Sequence, residues 1–132
     1  MVERIVLVDD DFDIINLFSE ILELNGYTVS TFTNPIDALT HLETHIHVYD
    51  LIISDYKMPC LSGNTLCQKL LTINPELKVI IISAYANIDC DRQFTFVSKP
   101  LSMPQLLKVV SEKLKEQNLI LSIPNGNSRS PT

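Results

Sequence analysis

Cysteine is scarce in this chain. There are three in 132 residues, Cys60, Cys67 and Cys90, an odd number with no CxxC pair. That set suits neither a disulfide frame nor a structural zinc site and reads as reduced thiols. Long apolar runs are missing as well, since nothing approaches the roughly 20 residues that cross a bilayer. The opening Met1-Val2-Glu3-Arg4 leads straight into a strand-like run, without the pattern of a secretory signal. The expected compartment is the cytoplasm, with no membrane association. Basic residues are outnumbered, 10 Lys and Arg against 16 Asp and Glu, for a formal charge of −6. A chain so short of cations cannot neutralise a phosphate backbone broadly, so direct nucleic-acid binding is not expected. There is no internal repeat.

What is present is a globular composition, 45% hydrophobic, of a length that fits one domain with a buried core. Short apolar runs alternate with helical patterns. Ile5 to Val8 reads as a buried strand closed by Asp9-Asp10-Asp11. Ile14, Ile15, Phe18, Ile21 and Leu22 keep a helical period that stops at Asn25-Gly26. Thr28 to Phe32 alternates like a strand. Asn34-Pro35 pairs an N-cap with proline at the first helical position, opening a helix to about Glu43. Leu51 to Ile53 is a third strand, with Asp55 just past its end. A helix carrying Leu66, Leu70 and Leu71 follows and ends at Asn74-Pro75. Val79 to Ile82 and the shorter Thr95 to Val97 are strands four and five, and Leu106, Leu107, Val110 and Leu114 mark a last helix. This alternation predicts a parallel α/β sheet covered by helices on both faces. The domain is expected to span 1–116. A Ser-, Asn-, Pro- and Gly-rich tail, 117–132, is expected to be largely disordered, with Leu119-Ile120-Leu121 as a continuation of the last helix or a docking element.

In an open parallel sheet, sites form beyond the carboxyl ends of the strands. Those ends carry Asp9-Asp10-Asp11, Asp55, Ser83 and Lys99 here, and right-handed crossovers bring them to one edge. Clustered carboxylates repel by about 4 kcal/mol per pair at 4 Å and an effective dielectric near 20. Either one takes up a proton or a cation sits among them. All-oxygen ligands suit Mg2+ or Mn2+. A carboxylate beside such an ion can act as a nucleophile toward phosphorus, with the ion, Lys99 and the Ser83 hydroxyl holding the phosphoryl oxygens. Taken singly, Asp11 is better read as a helix cap, Ser83 as a strand-end hydroxyl, Lys99 as a surface lysine and Phe96 as core. Their position relative to Asp55 gives them weight. His41, His45 and His47 lack partner ligands and read as a solvated helix end.

Val8-Asp9-Asp10-Asp11, Asp55-Tyr-Lys-Met-Pro-Cys-Leu-Ser-Gly63, Ser83-Ala84 and Phe96-Val-Ser-Lys99-Pro100 resemble the signatures of the receiver domain of two-component response regulators, of the chemotaxis-regulator-like kind. The similarity covers about residues 3 to 115. It implies a flavodoxin-like, doubly wound sheet of five parallel strands in the order 2-1-3-4-5. It also implies a phosphorylation-dependent switch of a phosphorelay, which is not an enzyme beyond assisting its own phosphorylation and dephosphorylation. Asp55 would be the phosphoacceptor, served by a sensor histidine kinase or phosphotransfer protein. Asp10 would bind Mg2+ directly and Asp9 largely through water, with Asp55 and the backbone carbonyl of Lys57 as further ligands. Ser83 would bond the phosphoryl group and Ala84 keep room beside it. Lys99 would pair with Asp55, Pro100 would follow a cis peptide bond, and Phe96 would be a switch residue moving with Ser83. The downstream partner is a protein the sequence does not name.

The span between Ser83 and Lys99 departs from the family. Tyr85 to Gln93 leaves at most about two turns for a fourth helix, so that helix is expected to be short or absent, the free protein a monomer, and the region mobile. Lys57 and Tyr85, each two residues beyond a site residue, are bulky and are expected to slow loss of the phosphoryl group. Two other readings compete. One is a metal-dependent phosphohydrolase of related α/β type, but such enzymes carry a second acid where this chain has Lys57. The other is a degenerate receiver used for constitutive binding, against which the intact Asp10, Asp55, Ser83 and Lys99 set speaks.

Overall fold

A computed structural model describes residues 2–85 and 93–116. Strands β1 (Arg4–Val8), β2 (Thr28–Phe32), β3 (Leu51–Asp55), β4 (Lys78–Ser83) and β5 (Thr95–Ser98) alternate with helices α1 (Phe12–Leu24), α2 (Pro35–His45), α3 (Gly63–Ile73) and α4 (Met103–Lys115). A 3-10 turn, Ile46–Val48, leads into β3. The strands form one parallel sheet in the order β2-β1-β3-β4-β5. The expected fold is therefore the observed one. The expectation of a short or absent helix between Ser83 and Lys99 falls mostly on residues 86–92, outside the described residues, as does the tail from residue 117.

Strand alternation divides the core in two. Val6, Val8, Ile52, Val79 and Ile81 face α2 and α3, where they meet Ala38, Leu42, Leu66 and Leu70. Ile5, Leu7, Leu51, Ile53, Ile80 and Ile82 face α1 and α4, where they meet Ile15, Phe18, Leu22, Leu106 and Val110. Both faces of β1, β3 and β4 are thus covered, which is why these strands read as unbroken apolar runs. Strand β2 lies at the edge and is only half-buried, so its sequence alternates with polar residues.

Helices α1 and α2 begin where the sequence signals say they should. Asp11, Asn34, Ser62 and Ser102 each accept backbone N–H bonds at a helix start. At α4, Gln105 returns the bond to the Ser102 backbone N–H, completing a capping box. Helix α2 runs two residues beyond the expected Glu43, because Leu42 and Ile46 are buried and carry the turn onward. His41 is not a solvated helix end. Its Nε2 lies 3.0 Å from the Tyr49 hydroxyl, which donates to Ser30 Oγ at 3.0 Å, tying α2 to β2 and to the approach of β3.

The two-layer core makes a stability prediction. Ile81 is fully buried on the interior strand β4, so Ile81→Ala should lower unfolding free energy by about 2–5 kcal/mol. Val48 is 51% exposed, and Val48→Ala should stay within roughly 0.5 kcal/mol of the parent. Urea midpoints at unchanged slope read the difference.

Candidate functional site

The ladder of the sheet continues one residue past several strands. The Asp9 N–H donates to the Phe32 carbonyl at 3.1 Å, that of Tyr56 to Ile82 at 2.8 Å, and that of Lys99 to Ser83 at 2.8 Å. These bonds hold the backbone at the carboxyl edge of β1, β3 and β5, so Asp9, Asp55 and Lys99 leave the sheet in a set geometry. Asp10, the next residue, is exposed, while Asp9 and Asp55 are only 4% and 8% exposed. Asp9, Asp10 and Asp55 each offer a carboxylate oxygen, all within 4.8 Å of one another. Lys99 Nζ lies 3.0 Å from Asp55 Oδ1 and 3.8 Å from Asp9 Oδ2.

The electrostatics follow from that crowding. Burial pushes the Asp9 carboxyl from its ordinary 3.8 up to about 6, reinforced by the charges of Asp55 and Asp10. The Asp11 N–H, bonded to Asp9 Oδ1 at 3.0 Å, and Lys99 oppose the rise. Asp55 is also raised, chiefly by burial, with Lys99 pulling the other way. Burial alone would lower Lys99, but its bond to Asp55 and the charges of Asp9, Asp55 and Asp10 outweigh it and the net shift is upward. Three carboxylates against one ammonium leave a formal charge of −2 in a pocket of hard oxygen donors. A divalent cation with oxygen preference fits that deficit and that ligand set.

The other expected residues fall as follows. Asp11 is a cap: its Oδ1 accepts from Asp13 N–H at 2.9 Å and Ile14 N–H at 3.4 Å. Ser83 is buried at the end of β4, where its Oγ accepts the Tyr85 N–H at 2.9 Å. Ala84 is exposed beside it. The Lys99-Pro100 peptide bond is cis. Phe96 is half-buried on β5, level with Ile81. Lys57 and Tyr85 meet directly, with Lys57 Nζ 3.3 Å from the Tyr85 hydroxyl and 5.4 Å from its ring centre. Met58 is buried, whereas Cys60 is exposed with φ 75°. Cys90 lies outside the described residues.

Sequence reasoning gave Gly63 no role of its own. The first residue of α3 packs so closely on the Asp55 backbone that a Cβ would overlap the Asp55 carbonyl oxygen and sit 2.8 Å from Ser54 Oγ. Its N–H donates to the Tyr56 carbonyl at 2.8 Å, and Ser54 Oγ donates to the Asp55 carbonyl at 2.9 Å. Helix α3 is thereby anchored against the strand end that presents Asp55. The signal was in the text, a glycine eight residues after the aspartate, but only the packing gives its reason.

The sequence profile of the response regulator receiver domain matches residues 5–111. The chain belongs to that family. Among its curated relatives, the sensor kinase CckA of Brucella abortus (strain 2308) is 33% identical over 120 residues, 86% of this chain and 13% of CckA. The response regulator receiver protein CpdR of the same strain is 29% identical over 118 residues, 85% of this chain and 97% of CpdR. The chain thus spans a small part of one relative and nearly all of the other. A CheY-like receiver domain protein from Methanospirillum hungatei JF-1 superposes with a TM-score of 0.77 at 28% identity, covering 86% of this chain and 94% of its own. As a receiver, the chain is a phosphorylation-dependent switch of two-component signalling.

The raised Asp9 carboxyl makes a pH prediction for protein held in chelator. Between about pH 4 and 6 the native state keeps a proton that the unfolded chain gives up. Unfolding then releases protons, so stability falls as pH rises through that window. Asp9→Asn cannot ionise and should be the more stable protein above pH 6, by at most roughly 3 kcal/mol. Asp55 contributes in the same direction and remains in the variant, so the reading is the difference between the two denaturation curves. A parallel pair of curves would contradict the assignment.

Proposed function

We propose that Asp55 is the phosphoacceptor of this receiver and that Mg2+ is held by Asp9, Asp10, Asp55 and the Lys57 carbonyl. The observation that carries this reading is the Asp55 carboxylate at the end of β3, ion-paired to Lys99 at 3.0 Å and crowded by Asp9 and Asp10. The receiver unit in this reading is 1–116, closed by the end of α4 at Lys115, with 117–132 as a tail.

The chemistry is a transfer from a phosphohistidine of a sensor kinase or phosphotransfer protein. An Asp55 carboxylate oxygen forms the new O–P bond as the donor's N–P bond breaks, and the departing imidazole keeps the electron pair and takes up a proton. Asp55 must be ionised to attack. Burial works against this, and the Lys99 ammonium at hydrogen-bond distance favours it. As the phosphoryl group arrives, Lys99 can move its bond from the carboxylate to a phosphoryl oxygen, which keeps the charge paired. The Ser83 hydroxyl can turn its proton to a second oxygen, Ala84 leaves the space open, and Phe96 on the adjoining strand follows Ser83. When bound, the metal supplies positive charge to the phosphoryl oxygens and offsets the carboxylate repulsion. The phosphohydrolase reading finds no second acid here, because position 57 is a lysine whose ammonium is turned to Tyr85.

Intact mass after acetyl phosphate and Mg2+ is the direct test. The wild type should gain one phosphoryl group and Asp55→Asn none, and excess chelator should abolish the gain. Equal uptake in chelator, or by the variant, would overturn the assignment.

Lys57 and Tyr85, two residues beyond Asp55 and Ser83, meet each other, and their bulk supports slow hydrolysis of the aspartyl phosphate. Lys57→Ala and Tyr85→Ala should each speed its decay severalfold, followed by loss of the added mass. Unchanged decay in both would refute the steric account.

A further inference from the structure

Helix α2 carries a pair of histidines that the phosphoacceptor site does not use. His41 and His45 stand one helical turn apart, and their rings stack at 6° with centroids 4.4 Å apart. His41 is half-buried, tilted against Phe32 at 5.4 Å and edge-on to Tyr49 at 5.9 Å. His45 is exposed and is the last residue of the helix.

The hydrogen bonds fix which nitrogen of each neutral ring carries the proton. The Tyr49 hydroxyl gives its own proton to Ser30 Oγ at 3.0 Å, so toward His41 it can only accept. His41 Nε2, 3.0 Å away, is therefore the N–H of its ring. His45 Nδ1 lies 3.0 Å from the His41 carbonyl, which also can only accept, so that nitrogen is the N–H of the second ring. Thr44 agrees with this, since its Oγ1 donates to the same carbonyl at 3.3 Å and can accept from His45 Nδ1 at 2.8 Å. Two lone pairs remain, on His41 Nδ1 and His45 Nε2, and neither is engaged among the described residues. A ring whose other N–H is anchored in this way has its metal-binding nitrogen oriented and more basic.

The surroundings suit a cation. Helix α2 contains Asp37 and Glu43 and no Lys or Arg, and its carbonyl end, at His45, favours positive charge. Tetrahedral ligation at roughly 2.0–2.1 Å sets two nitrogens about 3.3 Å apart. The stacked rings need a tilt to converge, which His45 supplies from its exposed position at the helix end. Nitrogen donors select late first-row divalent ions over Mg2+, the reverse of the oxygen-lined acidic pocket. The described residues bring no third imidazole, thiol or carboxylate to this pair, so water completes the coordination.

We propose that His41 and His45 form a second metal site, which takes a late first-row divalent ion such as Zn2+ through His41 Nδ1 and His45 Nε2, with Tyr49 as the positioning residue that holds the His41 tautomer. The site is separate from the Asp55 pocket and does not rest on the function proposed above.

Zn2+ titration of the full chain in excess Mg2+, which occupies the oxygen ligands, is the test. Calorimetry should show a Zn2+ site that His45→Gln loses and His47→Gln keeps. Nitrogen NMR of the rings should find His41 protonated at Nε2 and His45 at Nδ1, with Zn2+ shifting the other nitrogen of each. Tyr49→Phe should weaken Zn2+ binding about tenfold and let the His41 proton move to Nδ1. Zn2+ binding retained in His45→Gln, equal loss in His47→Gln, or shifts confined to one ring would overturn the site. Unchanged affinity in Tyr49→Phe would refute its positioning role. The wild-type spectra decide the matter by themselves if a variant fails to fold.

Discussion

Three carboxylates meet one ammonium at the edge of this sheet, and the rest of the site is organised around that imbalance. Each like-charged pair costs on the order of 4 kcal/mol at contact distance in a partly buried setting. Lys99, 3.0 Å from Asp55 and 3.8 Å from Asp9, offsets only part of this, and burial, reinforced by the neighbouring carboxylates, leaves both aspartates shifted upward. The protein holds a deficit of positive charge that a divalent cation and an incoming group can reshape. A neutralised pocket would be more stable and would have nothing to respond to.

Such a strained arrangement persists because the scaffold beneath it does not yield. Strands β1, β3 and β4 are buried on both faces, and their register carries one backbone hydrogen bond beyond the strand ends to Asp9 and Tyr56, with a third from β5 at Lys99. The chain turns sharply after each of these bonds. Gly63 lets α3 press on the Asp55 carbonyl from the other side, where any side chain would collide. The charges cannot relieve themselves by drifting apart, so relief needs a proton or a cation. Ser83 and Tyr85 couple this pocket to the chain leaving β4, since the Tyr85 N–H is bonded to the very hydroxyl assigned to the phosphoryl group. A change in what Ser83 contacts therefore changes what holds Tyr85, and with it the Tyr85 contact to Lys57.

Much of this could be read without coordinates. Apolar runs of four to six residues separated by helical periods specify a buried parallel sheet, because only strands covered on both faces lack polar alternation. Polar residues at the ends of those runs specify the site, because the carboxyl edge is where a parallel sheet opens. Helix starts were legible from Asn34-Pro35, whose local chemistry is self-contained. The misjudged residues depend on partners in other elements of the fold. His41 looked like a solvated histidine on α2, but it meets the Tyr49 hydroxyl, which in turn donates to Ser30. Gly63 looked like one glycine in a loop motif, but its reason is a backbone approach from Asp55.

The sequence by itself determined which elements form, in what order, and which chemical groups stand at the strand ends, since periodicity, caps and strand-end residues act over one or two turns of chain. Tertiary structure alone decided the distances. That Lys99 reaches Asp55 more closely than Asp9, that Asp9 is buried while Asp10 is exposed, and that Lys57 meets Tyr85 all follow from strand register and helix packing. Coulomb and hydrogen-bond energies change steeply over one or two ångströms, whereas hydrophobic pattern is indifferent to them. For that reason the kind of site is written locally in the chain, and the balance of charge within it is set only when distant segments are brought together.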